Sequence, residues 1–174
     1  MSHTIDDDVI ITGNLDVTGD LDVAGIGNSG VYAYNSGNQT MNLNPVLFTT
    51  VTEFGANQAL ISYSAGEFTF DVAGTYEIIA RFTVHATTPS ADYSAKVDWR
   101  AAAGGPVIAT QYLTWGTTTS SHKSIVLHII ETVTAATVRR FLCAILTGTG
   151  TSLLMGGSPS VGDGIRSNVI IRRL

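Results

Sequence analysis

The chain is poor in cysteine, proline and charge. Its single thiol, Cys143, excludes an intrachain disulfide framework. It stands in the apolar run Phe141-Leu142-Cys143-Ala144-Ile145-Leu146, which reads as a small buried side chain rather than a nucleophile. The four prolines (Pro45, Pro89, Pro106 and Pro159) fall between apolar runs. Charged residues make up 13% of the chain, against about 25% in typical soluble domains. Hydrophobic residues reach 44%, yet no uninterrupted apolar stretch is long enough for a membrane span, so no membrane insertion is expected. Apolar surface without a membrane implies burial against other subunits. Met1–Asp8 has neither a basic region nor an apolar core, so it is not expected to be a secretory signal. No broad basic excess exists, which argues against nucleic acid as a partner.

Sequence signals for chemistry are also missing. His3, His85, His122 and His128 show no His-x-x-x-His spacing, and a lone cysteine offers no Cys-x-x-Cys, so no metal site is expected. His128 lies in an apolar strand and reads as a satisfied core or interface residue; His85, at a strand end, reads as surface. Gly104-Gly105 and Gly156-Gly157 lack a Walker lysine, so no phosphate cradle is indicated. Neither a catalytic triad nor a carboxylate pair can be picked out, and no catalytic residue or cofactor is expected.

What is present is a six-residue repeat marked by Gly13, Gly19 and Gly25: Thr-Gly-Asn-Leu-Asp-Val, then Thr-Gly-Asp-Leu-Asp-Val, then Ala-Gly-Ile. Leu15, Val17, Leu21 and Val23 alternate with Asp16 and Asp22, as in short strands. Barely three units cannot close a core alone, so other copies of the chain are the expected partners. Residues 1–30 also hold six acids and no Lys or Arg, while the remainder holds eight acids and nine bases. The acidic arm is either solvated or a mount for a basic or cation-bearing partner. The sequence thus divides into an arm and repeat shaft over residues 1–30 and a head over residues 31–174.

The head is expected to be all-β. Thr is abundant, Val and Ile dominate the apolar set, and short apolar runs are spaced by Gly, Ser, Asn and Thr. Strands are expected at 46–52, 59–63, 67–70, 75–86, 91–101, 107–115, 124–130, 137–146 and 168–172. In 75–86, Tyr76, Ile78, Ala80, Phe82 and Val84 share a face. Val138, Phe141, Leu142 and Ile145 also fit a helical stripe, but the absence of a cap and the β-branched residues before them favour a strand. In 124–130 both alternating sets are apolar: Ile125, Leu127 and Ile129 on one side, Val126 and Ile130 on the other. That pattern predicts a strand buried on both faces, a neighbouring subunit covering one of them.

The segment Ala59–Tyr76, with its skeleton Tyr63, Gly66, Phe68-Thr69, Val72, Gly74 and Tyr76, resembles the globular head of the first complement component and its tumour-necrosis-factor-like (TNF-like) relatives. The resemblance implies a jelly-roll β-sandwich that assembles as a homotrimer, with Gly74 serving a turn and Phe68 and Tyr76 packing on one core face. Ser167–Leu174 looks like that family's closing strand, in the inner sheet near the threefold axis. The relatives' collagen stalk is absent, and their calcium ligands carry over only as the candidates Asp92, Asp98 and Asp163. The glycine-marked hexapeptides resemble the shafts of bacteriophage fibre proteins.

Together these features lead to the expectation of a trimeric phage fibre or spike, exterior to the virion. Its arm would bind capsid or tail proteins, and its head a host cell-surface glycan or protein. The alternatives are a capsid decoration protein and a carbohydrate-active jelly-roll enzyme. Trimer-interface candidates are Leu15, Val17, Leu21, Val23, Tyr76, Ile125, Leu127, Ile129 and Ile170. Surface-binding candidates are Tyr112, Trp115, Thr118 and His122, since aromatic residues anchor interfaces and wide loops are expected at 87–91, 102–106, 116–123 and 147–167. Trp99, inside an alternating strand, reads as core. Arg139, Arg140, Arg166, Arg172 and Arg173 would be costly at a shared axis unless paired or bridged by an anion.

Overall fold

The computed structural model describes residues 29–35, 37, 39–40, 42–55, 59–86, 93–102, 104–115, 122–147, 153–155 and 167–174. The expected shaft, with Leu15, Val17, Leu21 and Val23, lies outside them. In chain order the strands are β1 (Gly30–Asn35), β2 (Gln39–Thr40), β3 (Asn42–Pro45), β4 (Thr50–Phe54), β5 (Ile61–Ser64), β6 (Glu67–Phe70) and β7 (Gly74–Ala86). They continue as β8 (Tyr93–Ala101), β9 (Val107–Trp115), β10 (His122–Val133), β11 (Thr137–Thr147), β12 (Leu153–Met155) and β13 (Ser167–Arg173). One sheet runs β2-β12-β7-β13-β1-β4, with β10 on the free side of β7; the other runs β5-β6-β11-β8-β9, with β3 beside β11. All pairings are antiparallel, and the two sheets form a sandwich.

The core lies where the inward positions of the two sheets meet. Tyr76, Ile78, Ala80, Phe82 and Val84 of β7 are fully buried, as their period-two spacing requires. Facing them are Phe68 and Phe70 of β6, Val97 and Trp99 of β8, and Phe141 of β11. Ring contacts tie the layers together, Phe82 lying 5.1 Å from Phe141 and Phe70 4.8 Å from Tyr76, while within the second sheet Trp99 lies 4.4 Å from its cross-strand partner Phe141. Each such pair adds about 0.5–1.5 kcal/mol beyond area burial. Phe68 and Tyr76 are both core residues, but they come from opposite sheets: Tyr76 meets Phe70, whereas Phe68 meets Trp99 and Phe141.

One end of the sandwich is closed by a polar clamp. Glu131, on the inward side of β10, accepts the Trp99 indole N–H at 2.7 Å on one oxygen. Its other oxygen accepts Arg139 Nε at 2.9 Å and Nη2 at 2.6 Å. A strand of the first sheet is thereby joined to two strands of the second.

The expected strand over 137–146 is present as β11, held by β6 and β3 on one side and β8 on the other, and the alternative helical stripe loses to this two-sided pairing. In β11, Phe141 through Ala144 are all buried within the chain, whereas in 124–130 Ile125 and Leu127 are buried and Val126 and Ile130 are exposed in the single chain, the face that the sequence assigns to a neighbouring subunit. Other expectations are corrected. Residues 46–48 are not a strand. Their backbone is satisfied elsewhere: Val46 N–H donates to the Phe141 carbonyl at 2.9 Å, Leu47 N–H to Gln39 Oε1 at 2.9 Å, and Phe48 N–H to the Tyr63 hydroxyl at 2.7 Å. Gly74 opens β7 instead of serving a turn; a side chain there would meet Arg173 Nε at 2.8 Å. The tight turn is Ala65-Gly66, both with positive φ, the geometry that joins hairpin strands without splaying them.

Candidate functional site

Four described strands of the first sheet turn apolar or aromatic side chains outward. β10 offers Val126 and Ile130, 53% and 63% exposed. They are outward because Ile125 and Leu127, on either side of Val126, are taken by the core. Beside β10, β7 presents Ile79, and β13 presents Ile170 directly opposite it. β1 continues the row with Tyr32, opposite Ile170, and its ring stands 5.8 Å from that of Tyr34. Tyr32, Ile170 and Ile79 stand at matched register, with Cβ atoms about 4.5–5.5 Å apart, and His128 of β10 completes that row; Val126 and Ile130 flank it diagonally, opposite Arg81 and Glu77. An exposed apolar surface on a sheet face is the kind that protein–protein contacts cover.

A charged row crosses the same face. Glu77 of β7 stands between His128 of β10 and Arg172 of β13; His128 Nε2 lies 2.8 Å from Glu77 Oε1, and Arg172 Nε donates to Glu77 Oε2. The hydrogen bond from Arg172, then that from His128, holds the Glu77 carboxyl below the ordinary carboxylate range. His128 is therefore an exposed, carboxylate-paired residue of the outer face and not a core one. The arginines expected near an axis are engaged within the chain: Arg139 on Glu131, Arg172 on Glu77, and Arg173 donating to the Ala73 carbonyl. Arg140 has only a loose contact, 3.7 Å, to Glu67, and Arg166 lies outside the described residues.

The interface candidates separate accordingly. Tyr76, Ile125 and Leu127 are spent on the chain's own core, and Ile129 packs against it; Tyr76 also donates to the Val72 carbonyl at 2.8 Å. Ile170 faces outward, beside Val126 and Ile130, which the sequence set on the second face of their strand, and the residues overlooked there are Ile79 and Tyr32. The signal for Val126 and Ile130 was the second alternating set, which sequence shows as apolar without saying which set the core takes. Among the surface-binding candidates, Tyr112 is exposed on the outward side of β9, in the other sheet. Trp115 closes β9 and His122 opens β10, so they bracket residues 116–121; their side chains and Thr118 lie outside the described residues. Trp99 is core, as its alternation implies.

Chemistry at this surface is that of contact. Among the described residues no group of three or more His, Cys, Asp or Glu is gathered for a metal. Asp98 is buried and already bound, by Lys96 Nζ at 2.7 Å and Thr110 Oγ1 at 2.7 Å. The Cys143 thiol is buried, and burial first, then the Asp98 charge, pushes its pKa far up, away from thiolate chemistry.

No protein-family model matches the chain, and no curated protein matches it. Solved structures do. Eiger TNF from S. frugiperda is 9% identical with a TM-score of 0.55, over 84% of this chain and 92% of that one. Murine APRIL at pH 5.0 is 10% identical with a TM-score of 0.57, over 84% of this chain and 99% of that one. Murine APRIL at pH 8.5 gives 9% identity and 0.53 over the same shares. At such identities the likeness speaks for the fold, and it agrees with the strand order: the chain folds as a TNF-like jelly roll.

Proposed function

We propose that this chain is a homotrimeric structural protein of a bacteriophage particle, a fibre or spike whose arm is mounted on the virion and whose head contacts a host surface. The observation that carries the trimer is the outward apolar face of the first sheet, on which Val126 and Ile130 are 53% and 63% exposed and Ile79 and Ile170 are half-buried. Supporting the virion reading are the glycine-marked hexapeptides, too few to close a core without other copies of the chain. The mechanism is assembly and adhesion: three copies present three identical contact sites, so weak contacts act together with raised avidity. The arm, with its six acids, is the mount, and the loop-bearing end of the head, around Tyr112 and Trp115, is the contact. No catalytic step is part of this reading.

Immunogold electron microscopy of the parent particle tests it. Label on the tips of projections is expected. Label spread over the shell favours the decoration reading, and particles free of label contradict both.

A further inference from the structure

The outward face of the second sheet carries a row of three charges in matched register, Glu67 of β6, Arg140 of β11 and Arg100 of β8. Two guanidinium groups thus stand side by side on neighbouring strands, a pairing that like charges disfavour. Arg139 and Arg172 each hold a carboxylate at hydrogen-bond distance; these two do not. Arg140 Nη1 is 3.7 Å from Glu67 Oε1, beyond a hydrogen bond, and Arg100 Nη2 donates only to the Gly105 carbonyl at 3.0 Å. Asp98 lies on the same face two residues before Arg100, but Lys96 and Thr110 have taken both its oxygens. The Nε–H of Arg100 and the Nε–H of Arg140 are both shut off from water without an acceptor. A buried donor left unmet carries its whole desolvation cost, and a cation half removed from water carries more.

We propose that Arg100 and Arg140 form a binding site for an oxyanion, the sulfate, phosphate or carboxylate of an acidic group. Each guanidinium offers a planar fork of donors matched to two oxygens of one such group. One anion bridging the pair would offset the like-charge contact and accept from the terminal NH groups of the two guanidiniums. Gly105, which already meets Arg100, borders the site, and a Cβ added at Gly104 would meet nothing within 4 Å. The site is independent of the trimer and of the virion reading, because it lies on the opposite outer face from Val126 and Ile130.

Thermal unfolding and calorimetric titration of the full chain with inorganic sulfate, inorganic phosphate and a sulfated hexasaccharide, against chloride at matched ionic strength, test the proposal. Sulfate or phosphate is expected to give a saturable calorimetric isotherm and to raise the melting temperature by about 5 °C at about ten times its dissociation constant, where chloride does neither. Arg100→Gln and Arg140→Gln should each abolish the calorimetric isotherm and the shift in excess of chloride, while Lys123→Gln, on the other sheet, keeps both. Should the arginine variants fail to fold, Glu67→Gln decides: removing the neighbouring carboxylate should tighten sulfate about fivefold or more. Tighter binding of the hexasaccharide than of free sulfate makes an acidic glycan the source; equal binding makes it the free anion. A wild-type shift no larger than that in chloride, a shift retained in both arginine variants, or no gain from Glu67→Gln overturns the site.

Discussion

Removing the Glu131 carboxylate strips two partners at once. Its side chain and that of Arg139 are 12% and 18% exposed, so the pair is largely out of water. Glu131→Ala leaves Arg139 as an unpaired, mostly buried charge, which costs about 3–5 kcal/mol when one partner of a buried pair is lost. It also leaves the Trp99 indole N–H without its acceptor, and an orphaned buried donor costs about 1–3 kcal/mol. These terms share a carboxylate and do not add fully, so the expected loss is about 3–5 kcal/mol, or about 6–20 °C in melting temperature for a chain of this size. Glu131→Leu combined with Arg139→Met removes both charges and keeps the volume. It should cost less than Glu131→Leu alone, leaving mainly the Trp99 donor unmet. Urea unfolding followed by tryptophan fluorescence reads all three, since Trp99 reports directly on the clamp. A Glu131→Ala variant as stable as wild type, or a double variant at least as damaged as the single, would refute the reasoning.

Gly66→Ala is expected to destabilise by at least about 1 kcal/mol in the same assay, because φ is +88° and the new methyl would stand 2.6 Å from Pro45 Cβ; a neutral result would contradict the hairpin geometry. The depressed Glu77 pKa sets an acid limb. A carboxyl lowered in the folded state contributes stability present above its ordinary value, 4.5, and lost as pH falls through the lowered one. Melting temperature should therefore drop on acidification below that value, and less steeply in Glu77→Gln; identical acid limbs would dismiss the contribution. Cys143 should not react with a thiol reagent in the native protein but should react fully in denaturant, and prompt native labelling would contradict its burial.

The fold was legible where one face of a strand is apolar and the other is not. β6 and β9 match their sequence bounds, and the Tyr76–Val84 alternation of β7 points inward as read. β1 and β3 were missed for physical reasons. β1 offers only Val31 and Ala33 to the core, next to a glycine and an asparagine; β3 is Asn-Leu-Asn-Pro, poor in strand formers and held by its pairing with β11. The surface was half legible. When both alternating sets are apolar, as in β10, periodicity shows two faces but not which one the core claims. That choice is made by β7 and the second sheet, which are distant in sequence. His128 fell to the same ambiguity: an apolar neighbourhood along the chain said nothing of Glu77 across the sheet.

The central claim is that the outward face of β10, β7 and β13 is covered by other copies of this chain. Light scattering on the full chain at micromolar concentration, with and without Val126→Asp and Ile130→Asp together, tests it most directly. Because both side chains are exposed in the single chain, the substitutions should leave the fold intact while placing charge in the contact. The account predicts a wild-type mass of about 55 kDa, three times the 18.3 kDa chain, falling to the single-chain mass in the double variant. A stable wild-type monomer, or a trimer that the two aspartates leave untouched, would contradict it.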